Sequence, residues 1–200
     1  MTHAGAACLQ RVYVEITNIC NLRCDFCAGT SRPPASMDPE FFGLVLDQVA
    51  PLTRQICLHV LGEPLLYPQF PAILDRCAKT GVSVNLTTNG TLLPDRRDDL
   101  LRARALRQVN FSLQALRREG GFDDDALAEI LDFTGQAART RPEVYVNLRL
   151  WTLDSMQAPS GDPFNALVLD RIAASLGRGV PDGLSISAGE LVRSGECKPE

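Results

Sequence analysis

The chain has 200 residues, 45% of them hydrophobic and 22% charged, a composition that suits one globular domain with a substantial core. The net charge of -4 arises from interspersed acidic and basic residues, so no patch for binding nucleic acid is expected. The N-terminus lacks a basic leader and no apolar stretch approaches a membrane span, which predicts a soluble, cytoplasmic protein without a membrane partner. Seven cysteines without a secretion signal indicate reduced thiols or metal ligands instead of a disulfide framework.

Five short segments rich in β-branched residues alternate with longer amphipathic segments along the chain. This pattern predicts an α/β fold in which repeated strand-helix units surround a parallel sheet. The predicted strands cover residues 12–17, 55–60, 82–87, 108–113 and 144–150.

Apolar residues recur at helical spacing between these strands. After the first strand, Asp38 is a capping residue and Pro39 suits the first turn of a helix. The acidic run Asp123–Asp125 suits the positive end of a later helix and requires no metal. Segment 95–106 has a less regular stripe. The four clear stripes are Phe42, Val45, Leu46 and Val49; Phe70, Ile73, Leu74 and Cys77; Leu127, Ile130 and Leu131; and Val168, Leu169, Ile172 and Leu176.

The five strands alternate apolar and polar residues in the same sense. The apolar face, expected to meet the outer helices, carries Val12, Val14, Ile16, Ile56, Leu58, Val60, Val82, Val84, Leu86, Val109, Phe111, Leu113, Val144, Val146, Leu148 and Leu150. The other face carries Glu15, Thr17, Cys57, His59, Asn85, Thr87, Asn110, Ser112, Gln114, Asn147 and Arg149. A closed eight-stranded barrel fills its interior with bulky apolar layers, and burying unpaired polar groups is costly. We therefore predict a partial (β/α)6-type TIM barrel whose lumen is a wet, ligand-holding cavity. Its sixth unit is weak, with only GLSIS at 183–187 available.

Three cysteines follow the first predicted strand in the segment CNLRCDFC. Cys20, Cys24 and Cys27 have the spacing C-x3-C-x2-C on a loop at the carboxyl end of that strand, where α/β barrels place catalytic loops. Three thiolates can bind three irons of a 4Fe-4S cluster and leave the fourth iron without a protein ligand. An open coordination position is typical of catalytic metal sites.

This cysteine spacing, with the aromatic Phe26 before the last cysteine, resembles the radical S-adenosylmethionine (SAM) superfamily. Gly62, Glu63 and Pro64 follow the second strand and resemble the family's GEP motif, which binds the amino group of the methionine moiety of SAM. TTNGTLL at 87–93 follows the third strand, as in many relatives.

Phe26, at the family's aromatic position, is expected to contact adenine. Two further positions match the family more loosely: Ser112 resembles the residue that hydrogen-bonds the ribose or carboxylate of SAM, and Arg149 is a candidate for the carboxylate. The resemblance covers about residues 11–155 and is strongest to cores that carry a C-terminal SPASM or twitch domain, although only Cys197 is available downstream as an auxiliary ligand.

We divide the chain into an N-terminal tail at 1–10, a core domain at 11–190 and a divergent tail at 191–200. The resemblance implies that the open iron binds SAM and that one electron, from a reductant such as flavodoxin or ferredoxin, enters the cluster. SAM is then cleaved to methionine and a 5'-deoxyadenosyl radical, which abstracts a hydrogen from an unidentified peptide or small-molecule substrate. No catalytic side chain is named.

A different class of function is a catalytically silent iron-sulfur or zinc-binding module. A zinc site would need a fourth ligand, such as His59 or Cys57, brought close to the three cysteines. Cys57 and Cys77, however, occupy apolar segments and are expected to be ordinary buried cysteines. His59 is as well explained by a hydrogen-bonded interior histidine as by a substrate contact.

Each candidate SAM residue also has a structural interpretation. Glu63 could cap the segment that follows it, and Phe26 could simply pack. Arg149 could pair with Glu15 across the lumen, because a luminal guanidinium needs a partner with or without a ligand. For Ser112 the two interpretations are balanced.

Overall fold

The fold is described by a computed structural model over residues 9–118, 121–150 and 163–176. Its central feature is a five-stranded parallel sheet, which confirms the predicted α/β class. The strands are β1 (Val12–Val14), β2 (Gln55–Leu58), β3 (Ser83–Thr88), β4 (Leu106–Ser112) and β7 (Tyr145–Arg149), and they lie in this order across the sheet. The remaining strands, β5 (Arg117–Arg118) and β6 (Gly121–Phe122), form a small antiparallel pair that the sequence analysis did not predict.

Four helices connect successive strands of the parallel sheet, and a fifth follows its last described strand. They are α1 (Pro39–Val49), α2 (Phe70–Thr80), α3 (Leu93–Arg102), α4 (Asp124–Thr140) and α5 (Pro163–Leu176), with short 3-10 turns at Pro64–Leu66 and Leu113–Leu116. The predicted helix start at Asp38 is confirmed, because its Oδ1 accepts hydrogen bonds from the backbone N–H groups of Glu40 and Phe41. Asp123 caps α4 in the same way, through the N–H of Ala126. The irregular stripe at 95–106 corresponds to α3, which starts at Leu93 and ends at Arg102.

The helix-facing side of the sheet forms the closed core. Ile56, Leu58, Val84, Leu86, Val109 and Phe111 are each 0% exposed. They lie at matching heights, since β2 pairs with β3 through Ile56 and Val84, and β4 pairs with β7 through Val109 and Val146. The prediction that these apolar residues face the helices is thus confirmed for β2, β3 and β4.

Two residues depart from the predicted faces. Val60 is 55% exposed because β2 ends at Leu58 and the chain turns before Gly62. Gln114 does not extend the polar face of β4, because the strand ends at Ser112. The following 3-10 turn buries Gln114, whose Nε2 donates to Asn165 Oδ1 of α5. Assigning Val60 to the core and Gln114 to the lumen was therefore wrong.

The predicted sixth strand at 183–187 lies outside the described residues. Within the part of the chain that is described, no helix is both long and apolar enough to cross a membrane.

Candidate functional site

The cysteine loop connects β1 to α1 and begins at the carboxyl end of β1. Its two ends are held together by Asn18, whose N–H donates to Ala35 O at 3.1 Å and whose Nδ2 donates to Pro33 O at 2.9 Å. Asn18 Oδ1 in turn accepts from Ala35 N at 2.7 Å. A further backbone bond joins Met37 N to Ile16 O at 2.7 Å. These bonds, which we call the Asn18 clasp, join the two ends of the loop without any contribution from the cysteines.

The three cysteines lie on the exposed part of this loop. Cys20 and Cys27 are exposed and Cys24 is half-buried. Backbone N–H groups point at two of the sulfurs, from Leu22 to Cys20 Sγ at 3.4 Å and from Gly29 to Cys27 Sγ at 3.5 Å. Gly29 has a φ of 61°, which favours glycine. The loop therefore offers hydrogen-bond donors to sulfur, an arrangement that suits iron-sulfur ligation.

The pKa values of the Cys20 and Cys24 thiols are affected by the other cysteines of the loop. Burial is the largest cause of the raised pKa of both thiols, and charge on a neighbouring cysteine raises the pKa further in each case. Among the described residues, no three cysteine, histidine or acidic side chains converge on one point as ligands of a single metal ion do. A 4Fe-4S cluster makes a different demand, because each thiolate binds a different iron of the cube. The donor set fits such a cluster, with three thiols on one short loop.

Gly62 brings the turn after β2 directly against the base of the cysteine loop. Its φ is 74°, and a Cβ at this position would lie 2.4 Å from Thr17 O and 2.9 Å from Ile19 O. The next residue, Glu63, donates its N–H to Ile19 O at 2.8 Å. Only glycine permits this approach. The GEP turn therefore contacts Ile19, the residue directly before Cys20.

The Glu63 carboxylate is buried at 1% exposure and links two strand ends. Its Oε1 accepts from Leu65 N at 2.9 Å and from Thr88 Oγ1 at 2.8 Å, and its Oε2 accepts from Asn89 N at 2.7 Å. Burial raises the pKa of Glu63, and these three hydrogen bonds oppose the rise. The capping interpretation of Glu63 is confirmed by the bond to Leu65, and the carboxylate also ties the TTNG turn to the GEP turn.

The TTNG turn after β3 also contacts the cysteine loop directly. Asn89 Nδ2 donates to Asn21 Oδ1 at 2.9 Å and lies 3.9 Å from Cys20 Sγ, while Asn21 Nδ2 donates to Thr91 Oγ1 at 2.8 Å. The TTNG segment was predictable from the sequence, but its partner Asn21 was not. The available signal was an asparagine directly after the first cysteine, a residue type with both donors and an acceptor.

Amide side chains occupy the luminal face of the sheet. Asn110 Nδ2 donates to Leu86 O at 3.0 Å, and Asn110 Oδ1 accepts from Gln108 at 2.7 Å and from Asn147 at 3.0 Å. Asn85 Nδ2 donates to Gln55 Oε1 at 3.2 Å. The hydrogen bonds of this polar face therefore run mostly between neighbouring strands of the sheet.

The structure contradicts the ion pair proposed between Arg149 and Glu15. Glu15 instead pairs with Arg32 of the cysteine loop at 2.5 Å and accepts a hydrogen bond from Leu61 N. Arg149 is exposed at the end of β7, and its charge acts with burial, the larger cause, to lower the pKa of half-buried His59.

The remaining predicted residues lie near these groups. Ser112 is half-buried and pairs in register with Arg149, which places both at the same height of the sheet. Phe26 is half-buried on the cysteine loop, beside Cys27. Cys57 is buried beside Asn85, and Cys77 is 0% exposed on α2, as expected of ordinary interior cysteines. Neither Cys57 nor His59 joins the three cysteines as a metal-binding group among the described residues.

Comparison with known proteins agrees with this arrangement. Residues 14–149 match the sequence profile of the Radical SAM superfamily. A tungsten-containing aldehyde ferredoxin oxidoreductase cofactor-modifying protein of Pyrococcus furiosus is 32% identical over 112 residues, covering 54% of this chain and 32% of the relative. A GTP 3',8-cyclase of Chlorobaculum tepidum is 34% identical over 113 residues, covering 54% of this chain and 34% of the relative.

The fold resembles that of BtrN, solved in complex with AdoMet and 2-DOIA, with a TM-score of 0.54 and 19% sequence identity over 70% of this chain and 58% of BtrN. The chain spans about a third of the length of the curated relatives described above. The family profile covers more than half of the chain and includes the cysteine loop, the GEP turn and the TTNG turn. The chain therefore belongs to the radical SAM superfamily, whose members use a 4Fe-4S cluster and SAM.

Proposed function

We propose that Cys20, Cys24 and Cys27 bind a 4Fe-4S cluster and that this chain cleaves SAM reductively. The observation that carries the proposal is the convergence of three strand ends. The cysteine loop after β1 is hydrogen-bonded to the GEP turn through Ile19 and to the TTNG turn through Asn21. The carboxyl ends of parallel strands are where α/β folds place their ligands.

When bound, the cluster would supply one electron to the sulfonium of SAM, breaking its bond to C5' and giving methionine and a 5'-deoxyadenosyl radical that takes a hydrogen atom from the substrate. The electron would come from a reductant such as flavodoxin or ferredoxin. The protein would orient SAM and exclude side reactions, since the cofactors carry the difficult chemistry. The substrate class, a peptide or a small molecule, is part of the proposal and not of the family assignment.

The GEP turn would bind the amino group of SAM. Glu63 Oε2 supports this role, because it accepts one hydrogen bond from the described residues and a carboxylate oxygen can accept two. Gly62 and Pro64 would contribute by holding the turn against the cysteine loop. Glu63 lies beside the cysteine loop, because its backbone N–H donates to Ile19 O at 2.8 Å. An ammonium group bound between the carboxylate and the loop requires this proximity.

The luminal face would bind further groups of SAM. Arg149 is proposed for the carboxylate and Ser112 for the ribose or carboxylate, since the two residues pair at the same height of the sheet. Arg149 has no ion pair with the described residues, and a guanidinium in a polar lumen favours an anionic partner. Phe26 would contact adenine from the cysteine loop. These residues fall within the proposed core domain at 11–190.

Anaerobic reconstitution with iron and sulfide, followed by EPR of the dithionite-reduced protein, tests the proposal. We expect a reduced-cluster signal that changes on adding SAM, together with formation of methionine and 5'-deoxyadenosine. Cys24→Ala should abolish both, whereas Cys77→Ala should retain both because Cys77 is buried on α2, away from the loop. A wild-type signal indifferent to SAM, or tight zinc binding without a cluster, would contradict the proposal and favour a silent metal-binding module.

A further inference from the structure

Three side chains form a closed ring of hydrogen bonds beside the first cysteine. Asn21 Nδ2 donates to Thr91 Oγ1 at 2.8 Å, Thr91 Oγ1 donates to Asn89 Oδ1 at 2.7 Å, and Asn89 Nδ2 donates to Asn21 Oδ1 at 2.9 Å. Asn89 is 8% exposed. The ring joins residues that are about 70 positions apart in the sequence, so it is a tertiary contact that the loop alone does not make.

The orientation of the Asn89 amide is determined by its neighbours. Asn89 Oδ1 also accepts from the backbone N–H of Thr91 at 2.9 Å, and a backbone N–H can only donate. The oxygen therefore faces Thr91, and the nitrogen must face the cysteine loop. There, Nδ2 lies 3.9 Å from Cys20 Sγ.

Further bonds hold Asn89 in this position from its backbone. Its N–H donates to Glu63 Oε2 at 2.7 Å, and Glu63 is itself held by Thr88 and Leu65. Both the backbone and the side chain of Asn89 are thus fixed by hydrogen bonds. Little further conformational entropy is lost when its Nδ2 donates to one particular atom.

We infer that Asn89 is a positioning residue that donates a hydrogen bond to the sulfur of Cys20 when that sulfur is bound to iron, and that it thereby raises the reduction potential of the cluster. This inference rests on the proposed function. A reduced cluster carries one more negative charge than the oxidised cluster, and a donor to a ligand sulfur stabilises the more negative state. The GEP and TTNG turns would therefore act on the cysteine loop electrostatically as well as structurally.

Asn89→Asp tests this role, because it keeps the shape of the side chain and replaces the donor with an anionic acceptor. A donor that stabilises the reduced cluster tenfold more than the oxidised cluster raises the one-electron potential by about 59 mV. We expect the midpoint potential, measured by EPR-monitored titration without SAM, to fall by at least this amount. Asn89→Ser, which removes the donor without adding charge, should shift the potential in the same direction by less.

Thr91→Val is the matched control. It breaks the same ring by removing the Thr91 hydroxyl, but the backbone N–H of Thr91 still orients Asn89 Oδ1. We expect its cluster-free form to lose thermal stability as Asn89→Ser does, while the midpoint potential stays close to the wild-type value. A purely structural role would instead move the potentials of Thr91→Val and Asn89→Ser equally.

The outcomes separate this inference from the function beneath it. If the wild type forms a cluster that responds to SAM and the Asn89 variants keep its potential, the role of Asn89 is refuted and the proposed function stands. If the wild type forms no cluster, both fail. Should Asn89→Asp not assemble a cluster, Asn89→Ser decides the matter by the same measurement.

Discussion

The two faces of the sheet use alternate residues of the same strands for opposite purposes. On the helix side, Val109 and Phe111 of β4 are fully buried. On the luminal side of β7, Tyr145 is 61% exposed and Asn147 and Arg149 are also exposed. Along β7 the exposed Tyr145, Asn147 and Arg149 alternate with the less exposed Val146 and Leu148. Burial of apolar area stabilises the fold, whereas exposed polar groups contribute little.

This difference teaches that stability and ligand binding are separable in this domain. Substitutions on the helix side should change the free energy of unfolding, and substitutions on the luminal side should change ligand binding.

Phe111→Ala should have the largest effect on stability. The ring is 0% exposed and meets Phe133 of α4 edge-on, with centroids 5.8 Å apart. Losing it should lower the free energy of unfolding by about 3 to 5 kcal/mol. Tyr145→Ala, on the exposed face, should cost about 1 kcal/mol or less. Urea denaturation of the cluster-free protein measures both, and similar losses for the two variants would contradict the division between the faces.

Gly62→Ala should come next, because it affects the contact between the sheet and the cysteine loop. A Cβ there would collide with Thr17 O, which is backbone and cannot move aside easily. We expect a loss of about 3 kcal/mol from strain and overpacking together. Gly81→Ala is the control, because Gly81 has a similar φ of 71° and nothing within 4 Å of its Cβ position. It should lose only about 1 kcal/mol, and equal losses would show that φ alone is responsible.

Several expectations about the fold were correct because they depended on periodicity. The five strands of the sheet and the helix beginning after Asp38 could be predicted from alternation and capping chemistry. The errors fall where strands end. Thr17 does not extend β1 but forms a bridge to Ser36, because the chain there is already part of the clasped cysteine loop. Local patterns do not report which distant segment competes for a strand end.

Cys77 gives a pH-dependent test of the buried face. Burial raises the pKa of its thiol from 9.0 to about 12. Between these values the unfolded chain releases a proton that the folded chain retains, so the stability from Cys77 is complete below pH 9 and falls as the pH rises towards 12. At pH 10 the loss should be about 1.4 kcal/mol. Cys77→Ala should show less loss between pH 8 and pH 10 in urea denaturation, and an identical loss in both proteins would place the alkaline sensitivity elsewhere.

Arg149→Ala should have the smallest effect on stability and a clear effect on ligand binding. Arg149 is exposed and makes no ion pair with the described residues, so the free energy of unfolding should change by less than about 0.5 kcal/mol. Binding of SAM to the reconstituted protein should weaken roughly tenfold, as expected for a lost pairing with a carboxylate. Calorimetry measures the affinity, and a stability loss without a change in affinity would favour a structural role.

The residues of the site were predictable to different degrees. The cysteines and Glu63 belong to local motifs, so their positions could be read from short segments. Arg32 could not be identified as the partner of Glu15, nor Asn21 as the partner of Asn89, because each pair is formed by folding of the cysteine loop onto strand ends. Such contacts depend on the path of an irregular loop, which has no periodicity to read.

The Asn18 clasp has a consequence for the order of folding and cofactor loading. Bringing the ends of a loop together costs conformational entropy that grows slowly with its length. Here hydrogen bonds among Asn18, Pro33 and Ala35 offset the entropy lost on closing the cysteine loop. In zinc fingers the metal itself drives folding. Here the clasp bonds belong to the protein itself, so we expect the fold to depend less on its inorganic centre than a zinc finger depends on zinc.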